Sequence, residues 1–158
     1  MVGRRKPKRD ASGRLVKSGR GSPKQQARAI NRDLLFVASF AAVAITLDIH
    51  ANLVAAPSDD GTPIDTGFAS SNWIPKVGPG PTAAVGAPEA VTRGPQEQGV
   101  AEVLGYEVQS GGILTVTNNA NYIEALNVRH PRAGFVERGV KKALTRDFRD
   151  VEKFIESR

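Results

Sequence analysis

The sequence offers few groups that can attack, exchange protons near neutrality or hold a metal. Among its 158 residues there is no cysteine, and there are two histidines, His50 and His130. The missing thiols exclude disulfide staples, thiolate metal sites and a cysteine nucleophile. His50 follows Asp48 in an apolar stretch and His130 precedes Pro131 in a turn, and neither has a partner at metal-binding spacing. A packing or capping role is the expectation for both. Asp59, Asp60 and Asp65 cluster, but without the regular oxygen ligands and closing glutamate of a calcium loop, so they read as turn and cap residues. Gly78, Gly80 and Gly86 miss the dinucleotide spacing, and neither a Gly-Lys-Ser/Thr step nor a Gly-x-Ser-x-Gly elbow occurs. No catalytic constellation, cofactor motif or metal site emerges, and the expectation is a protein that is not an enzyme.

Charge is the stronger signal, and it is unevenly placed. The formal net charge of +6 divides into 11 basic groups and one acid in residues 1–32, against 11 basic and 15 acidic groups in residues 33–158. Residues 1–26 form a basic arm with Arg4, Arg5, Lys6, Lys8, Arg9, Arg14, Lys17, Arg20 and Lys24 interleaved with Gly, Ser and Pro. The arm has almost nothing to bury, so it is expected to remain flexible until it meets a partner. The arm reads either as a binder of polyanions, without sequence preference because no aromatic side chain is there to stack on bases, or as a solvated tail or a segment that orders against an acidic protein surface.

The elements that must carry any function follow the arm. Helix formers begin near Ala27 and run to about Ala55, with the apolar stretch Leu34–Leu47 flanked by Asp33 and Asp48. That stretch is shorter than the about 20 residues of a membrane span, so no membrane partner is expected, although a targeting or anchoring segment stands as a competing reading. The preferred reading is one long helix buried on more than one side, with a face against a neighbouring subunit. Leu34, Phe36, Val37, Phe40, Val43 and Ile45 are its candidate interface residues.

Beyond Pro57, Asn72–Val77 reads as a short strand that Pro75 confines to an edge, with Trp73 as a core anchor. Residues 78–95 form a Gly- and Pro-rich loop long enough to reach a neighbour. A second helix runs from Gln96 through Val100, Val103, Leu104 and Val108 to Ser110-Gly111-Gly112, and a half-buried strand covers Ile113–Asn118. A helical turn carrying Tyr122, Ile123, Ala125 and Leu126 breaks near His130-Pro131. The last helix starts around Arg132, with Val136, Val140, Leu144, Phe148, Val151 and Ile155 as its apolar stripe. Glu137 with Lys141 and Arg146 with Asp150 are expected as ion pairs on its solvated face, and Phe148 or Phe154 as an intersubunit contact. The fold class is α+β: a small mixed or antiparallel sheet packed by a long N-terminal helix, a middle helix and a C-terminal amphipathic helix. Residues 27–158 form its single domain.

The order of several short strings carries a resemblance. Thr62-Pro63-Ile64-Asp65-Thr66-Gly67 is followed by Ser71-Asn72-Trp73. Then come Val116-Thr117-Asn118-Asn119-Ala120-Asn121-Tyr122-Ile123-Glu124-Ala125-Leu126 and Ala133-Gly134-Phe135-Val136. Over about residues 27–145 the chain resembles the neck, or tail-completion, protein family of tailed bacteriophages. Asp65, Thr66, Gly67, Asn118, Asn119, Tyr122, Gly134 and Phe135 hold the shared motif positions. The resemblance implies a structural virion protein that forms part of a closed ring at the head-to-tail junction, through which DNA passes. It implies as partners other copies of the chain, neighbouring connector and tail proteins, and packaged double-stranded DNA. It also implies location in the virion, and in the host cytoplasm during assembly. Where relatives tend to have an acidic residue and a glycine after the leucine, this chain has Asn127-Val128-Arg129-His130. The competing function is a stand-alone nucleic-acid-binding protein that uses the basic arm.

Overall fold

A computed structural model describes residues 22–56, 61–63, 67–86 and 91–156 of the chain. The arm cations Arg4 to Arg20, and Asp59, Asp60, Asp65 and Thr66, lie outside the described residues. The chain divides into two compact units, residues 1–34 and 35–158. In the first, residues 22–34 are exposed and form the opening of helix α1 (Pro23–Val54). This start precedes the expected Ala27 because Ser22 and Gln25 make a reciprocal cap. The Ser22 N–H donates to Gln25 Oε1 over 2.8 Å and the Gln25 N–H to Ser22 Oγ over 3.4 Å. Pro23 sits at the first helical position, where its missing N–H costs nothing. Lys24 therefore belongs to the helix and not to the arm.

In the second unit, α1 continues and is followed by α2 (Phe68–Ser71), β1 (Ile74–Val77), α3 (Gly94–Leu104), a 3₁₀ turn (Val108–Ser110), β2 (Leu114–Thr117), α4 (Ile123–Arg129) and α5 (Phe135–Glu156). The architecture is α+β, as the patterning predicts. β1 and β2 pair antiparallel, with Ile74 opposite Thr117 and Pro75 opposite Val116. Each strand is an edge in a two-stranded sheet, so Pro75 needs no second ladder partner. The helix α2, one turn of four residues, is too short to leave a periodic pattern in the sequence. The middle helix also ends earlier than expected, at Leu104, with Gly105 and the 3₁₀ turn completing the descent to β2 and Leu104 itself exposed.

The core is centred on Leu53 of α1, Trp73 before β1 and Phe135 at the start of α5, with Ile49, Val116, Ile123, Leu126 and Val136 packed against them. Trp73 is the anchor its size predicts. The stripe expected on α5 needs correction. The most buried positions are Phe135, Gly139 and Ala143, and Phe148 is 64% exposed. Small residues lie in this seam because α1 passes close by: the Leu53 side chain lies against Gly139, and Asn52 Nδ2 donates to the Gly139 carbonyl over 3.1 Å. The side chains of Val151, Phe154 and Ile155 lie outside the described set. The ion pairs differ as well. Arg146 reaches Asp48 of α1, Asp150 pairs with Lys153 at 3.6 Å, and Glu137 accepts from Asn127.

Candidate assembly interface

The expectation that α1 is buried on more than one side is not met within the chain. Only Thr46 and Leu53 of its residues are buried. Leu34 is 64%, Phe36 54% and Phe40 46% exposed, while Val37, Val43 and Ile45 are partly covered. Within the second unit, Phe36 and Phe40 lie on the exposed part of α1. Apolar groups of this size on a solvent-facing helix leave tens of Å² each in water, at about 25 cal/mol per Å².

By length and composition alone, α1 is apolar enough to cross a membrane. Val108 N–H donates to Ser39 Oγ over 2.9 Å, Asp48 is paired with Arg146, His50 Nε2 lies 3.1 Å from the Trp73 carbonyl, and Asn52 holds Gly139. From Ser39 onward the helix is thus latched to the body by polar groups. The part before Ser39 carries Lys24, Arg28, Arg32 and Asp33.

The shared strings converge around Trp73 although they are far apart in the chain. The Trp73 indole N–H donates to Thr62 Oγ1 over 2.7 Å, and that hydroxyl donates to the Leu53 carbonyl at the end of α1 over 2.6 Å. The Trp73 carbonyl accepts from Gln96 Nε2 at 3.1 Å and faces His50. Asn72 straps the Gly- and Pro-rich loop: its Oδ1 accepts from the Val85 N–H over 2.7 Å, and its Nδ2 donates to the Phe68 and Val85 carbonyls.

Asn118 donates to the Ala69 carbonyl and accepts from the Ala120 N–H over 2.9 Å, which ends β2 as a self-capped turn. Asn119 donates to the Pro81 carbonyl in the same loop. The Tyr122 ring lies 6.2 Å from that of Phe68, centroid to centroid. Gly67 and Gly134 both adopt positive φ, 83° and 76°, which a side chain would strain. The motif positions that are described therefore build the body.

Neither histidine gathers metal ligands. Burial lowers the His50 pKa below its ordinary value, partly offset by the hydrogen bond to the Trp73 carbonyl. His130 Nδ1 accepts from the Arg132 N–H over 3.1 Å, a turn-capping role. Among the described residues, no group of three His, Asp or Glu side chains is placed to hold a metal ion.

No family model, curated protein or solved structure matches the chain.

The turn at which the sequence departs from the resembled family has a clear local role. Asn127 Oδ1 accepts from the Val136 N–H over 3.1 Å, its carbonyl accepts from the Gly134 N–H over 2.8 Å, and its Nδ2 lies 3.2 Å from both Glu137 carboxylate oxygens. Hydrogen bonds to Glu137 from its own backbone N–H and from Asn127 lower its pKa. Asn127 thus caps the start of α5 from the end of α4. Side-chain capping across a turn has no periodic signature in a sequence.

Proposed function

We propose that this chain is a structural virion protein of a tailed bacteriophage, forming part of a ring at the head-to-tail junction, in a neck or tail-completion role, through which DNA passes. The observation that carries the proposal is the exposed apolar face of α1 on a body whose own core is closed around Trp73 without it. A closed ring is built from one heterologous interface repeated, so each copy must offer an apolar surface that its own fold does not cover. Phe36 and Phe40, one helical turn apart, give that surface aromatic anchors of the kind that dominate interface energetics. The ordered strings from Thr62 to Phe135 support the same reading through the resemblance described above.

The proposal is tested by the paired substitution Phe36→Asp, Phe40→Asp in the full chain. Both positions are exposed, so the variant keeps its helical circular dichroism and its thermal transition, while its mass in solution falls from the assembled species to the monomer. Unchanged assembly would remove α1 as the interface.

A further inference from the structure

We propose that the exposed basic face of α5 binds the phosphate backbone of duplex DNA. The cations of the body are segregated. Of the 11 Lys and Arg residues in 33–158, nine lie from Arg129 onward, among five acids; residues 33–128 hold two, Lys76 and Arg93, among ten acids. The fold then gathers part of this charge. Arg138, Lys141, Lys142, Thr145, Arg146 and Arg149 line one open concavity of about 400 Å³ along α5, a lining without carboxylates or aromatic rings.

Arg138, Lys142, Thr145 and Arg149 follow one another at helical spacing in a single row. From the first to the last is about 16 Å at 1.5 Å per residue, the rise of about five nucleotides of one strand at 3.4 Å each. The row cannot rotate away from solvent. Phe135 and Ala143 are buried on the other side of the helix, Asn52 holds the Gly139 carbonyl, and Arg146 at the edge of the row is paired with Asp48. Glu137 accepts from Asn127 and also lies near Arg138, Asp150 pairs with Lys153, and Glu152 and Glu156 follow the C-terminal end of the row.

An acidic protein would also match the sign. A protein interface, however, draws its affinity from apolar or aromatic anchors, and this lining has none, whereas phosphate contacts need only Lys and Arg at regular spacing. The surface is distinct from the basic arm. It takes its occupant from the proposed junction, where DNA passes, while the charge geometry stands without that reading.

The test measures binding of the full chain to a random-sequence duplex as salt is raised, for the wild type and for Lys141→Gln, Lys142→Gln, Arg149→Gln combined. At about 0.9 in the slope of log affinity against log salt per phosphate contact, losing three contacts makes the slope shallower by about 2.7. The control Lys76→Gln, Arg93→Gln removes cations from the acid-rich part and leaves the slope as it is. A wild-type slope in the triple variant, an equal change in the control, or binding of polyglutamate in place of duplex would each overturn the proposal. Should the triple variant not fold, Lys142→Gln alone is read for a change of about 0.9. Particle mass is recorded in the same samples. Lost assembly with DNA binding intact counts against the ring, and lost DNA dependence with assembly intact against this surface.

Discussion

The indole N–H of Trp73 donates to the hydroxyl of Thr62 over 2.7 Å, and Thr62 passes the bond on to the carbonyl of Leu53 over 2.6 Å. Thr62 is fully buried, so this two-step relay ties the end of α1 to the entry of β1 in a place water does not reach. Replacing Thr62 by Val keeps the shape but leaves the Trp73 N–H without its acceptor. The expected cost is about 1–3 kcal/mol, the usual penalty for a buried polar group left unsatisfied. Thr62→Ser retains the hydroxyl and should retain most of the stability, and denaturant midpoints of the two variants separate the relay from simple packing.

A second prediction concerns the meeting of α3 and β1. Gly99 is buried, and a Cβ there would collide with the Pro75 carbonyl. Alanine is favoured over glycine inside a helix by ~1 kcal/mol, so Gly99→Ala on an open helix would stabilise. Here the collision is with backbone that cannot swing aside, and the net change should be a loss of about 1–3 kcal/mol, read from the shift in thermal or urea transition.

His50 makes stability depend on pH. Its folded pKa lies below the ordinary value of 6.5 because burial disfavours the charged ring. The unfolded chain therefore takes up the proton first, and the contribution of neutral His50 is complete above about pH 6.5 and is lost as pH falls through 6.5 toward the folded value. His50→Gln keeps a side-chain donor for the Trp73 carbonyl without a titrating group. Its stability should fall less than that of the wild type between pH 7.5 and pH 5, as about pH-independent donors do, and equal slopes in chemical denaturation would contradict the assignment.

Asn127 holds the first turn of α5 through the Val136 N–H. Asn127→Ala removes that acceptor and should cost about 1 kcal/mol, in the range of a lost helix cap. It should also let the Glu137 carboxyl titrate nearer its ordinary range, since one of the hydrogen bonds that lowers it is gone. The side-chain carboxyl resonance of Glu137, followed through an acid titration, reads this second effect.

Much of the body is legible in the sequence. The alternation of Leu114 and Val116 with threonines marks β2, Pro75 marks an edge, and a lone Trp73 marks the core, because strand pairing and burial of a large ring leave periodic or compositional traces. The polar latches leave none: Thr62, Asn72, Gln96 and Asn127 act on carbonyls and amides whose positions only the fold supplies. The Gly139–Ala143 seam is hidden for a related reason, since a pattern weighted by large apolar residues picks Val136, Val140 and Phe148, while close helix packing selects small ones. The apolarity of Leu34–Leu47 is plain in the sequence, but what covers it is not. The chain itself leaves Phe36 and Phe40 in solvent. The candidate interface was therefore readable as residues but not as a surface, and the basic row of α5 appears as an ordinary solvated face until the helix is oriented by Asp48 and Asn52.

The central claim is that the exposed face of α1 is covered by another copy. The most direct measurement is the mass of the purified full-length protein, by native mass spectrometry or particle imaging, over a range of concentrations and with the neighbouring connector proteins added. The expected result is a closed species of several copies with one repeated interface. A protein that stays monomeric at every concentration, with its neighbours present, would contradict it.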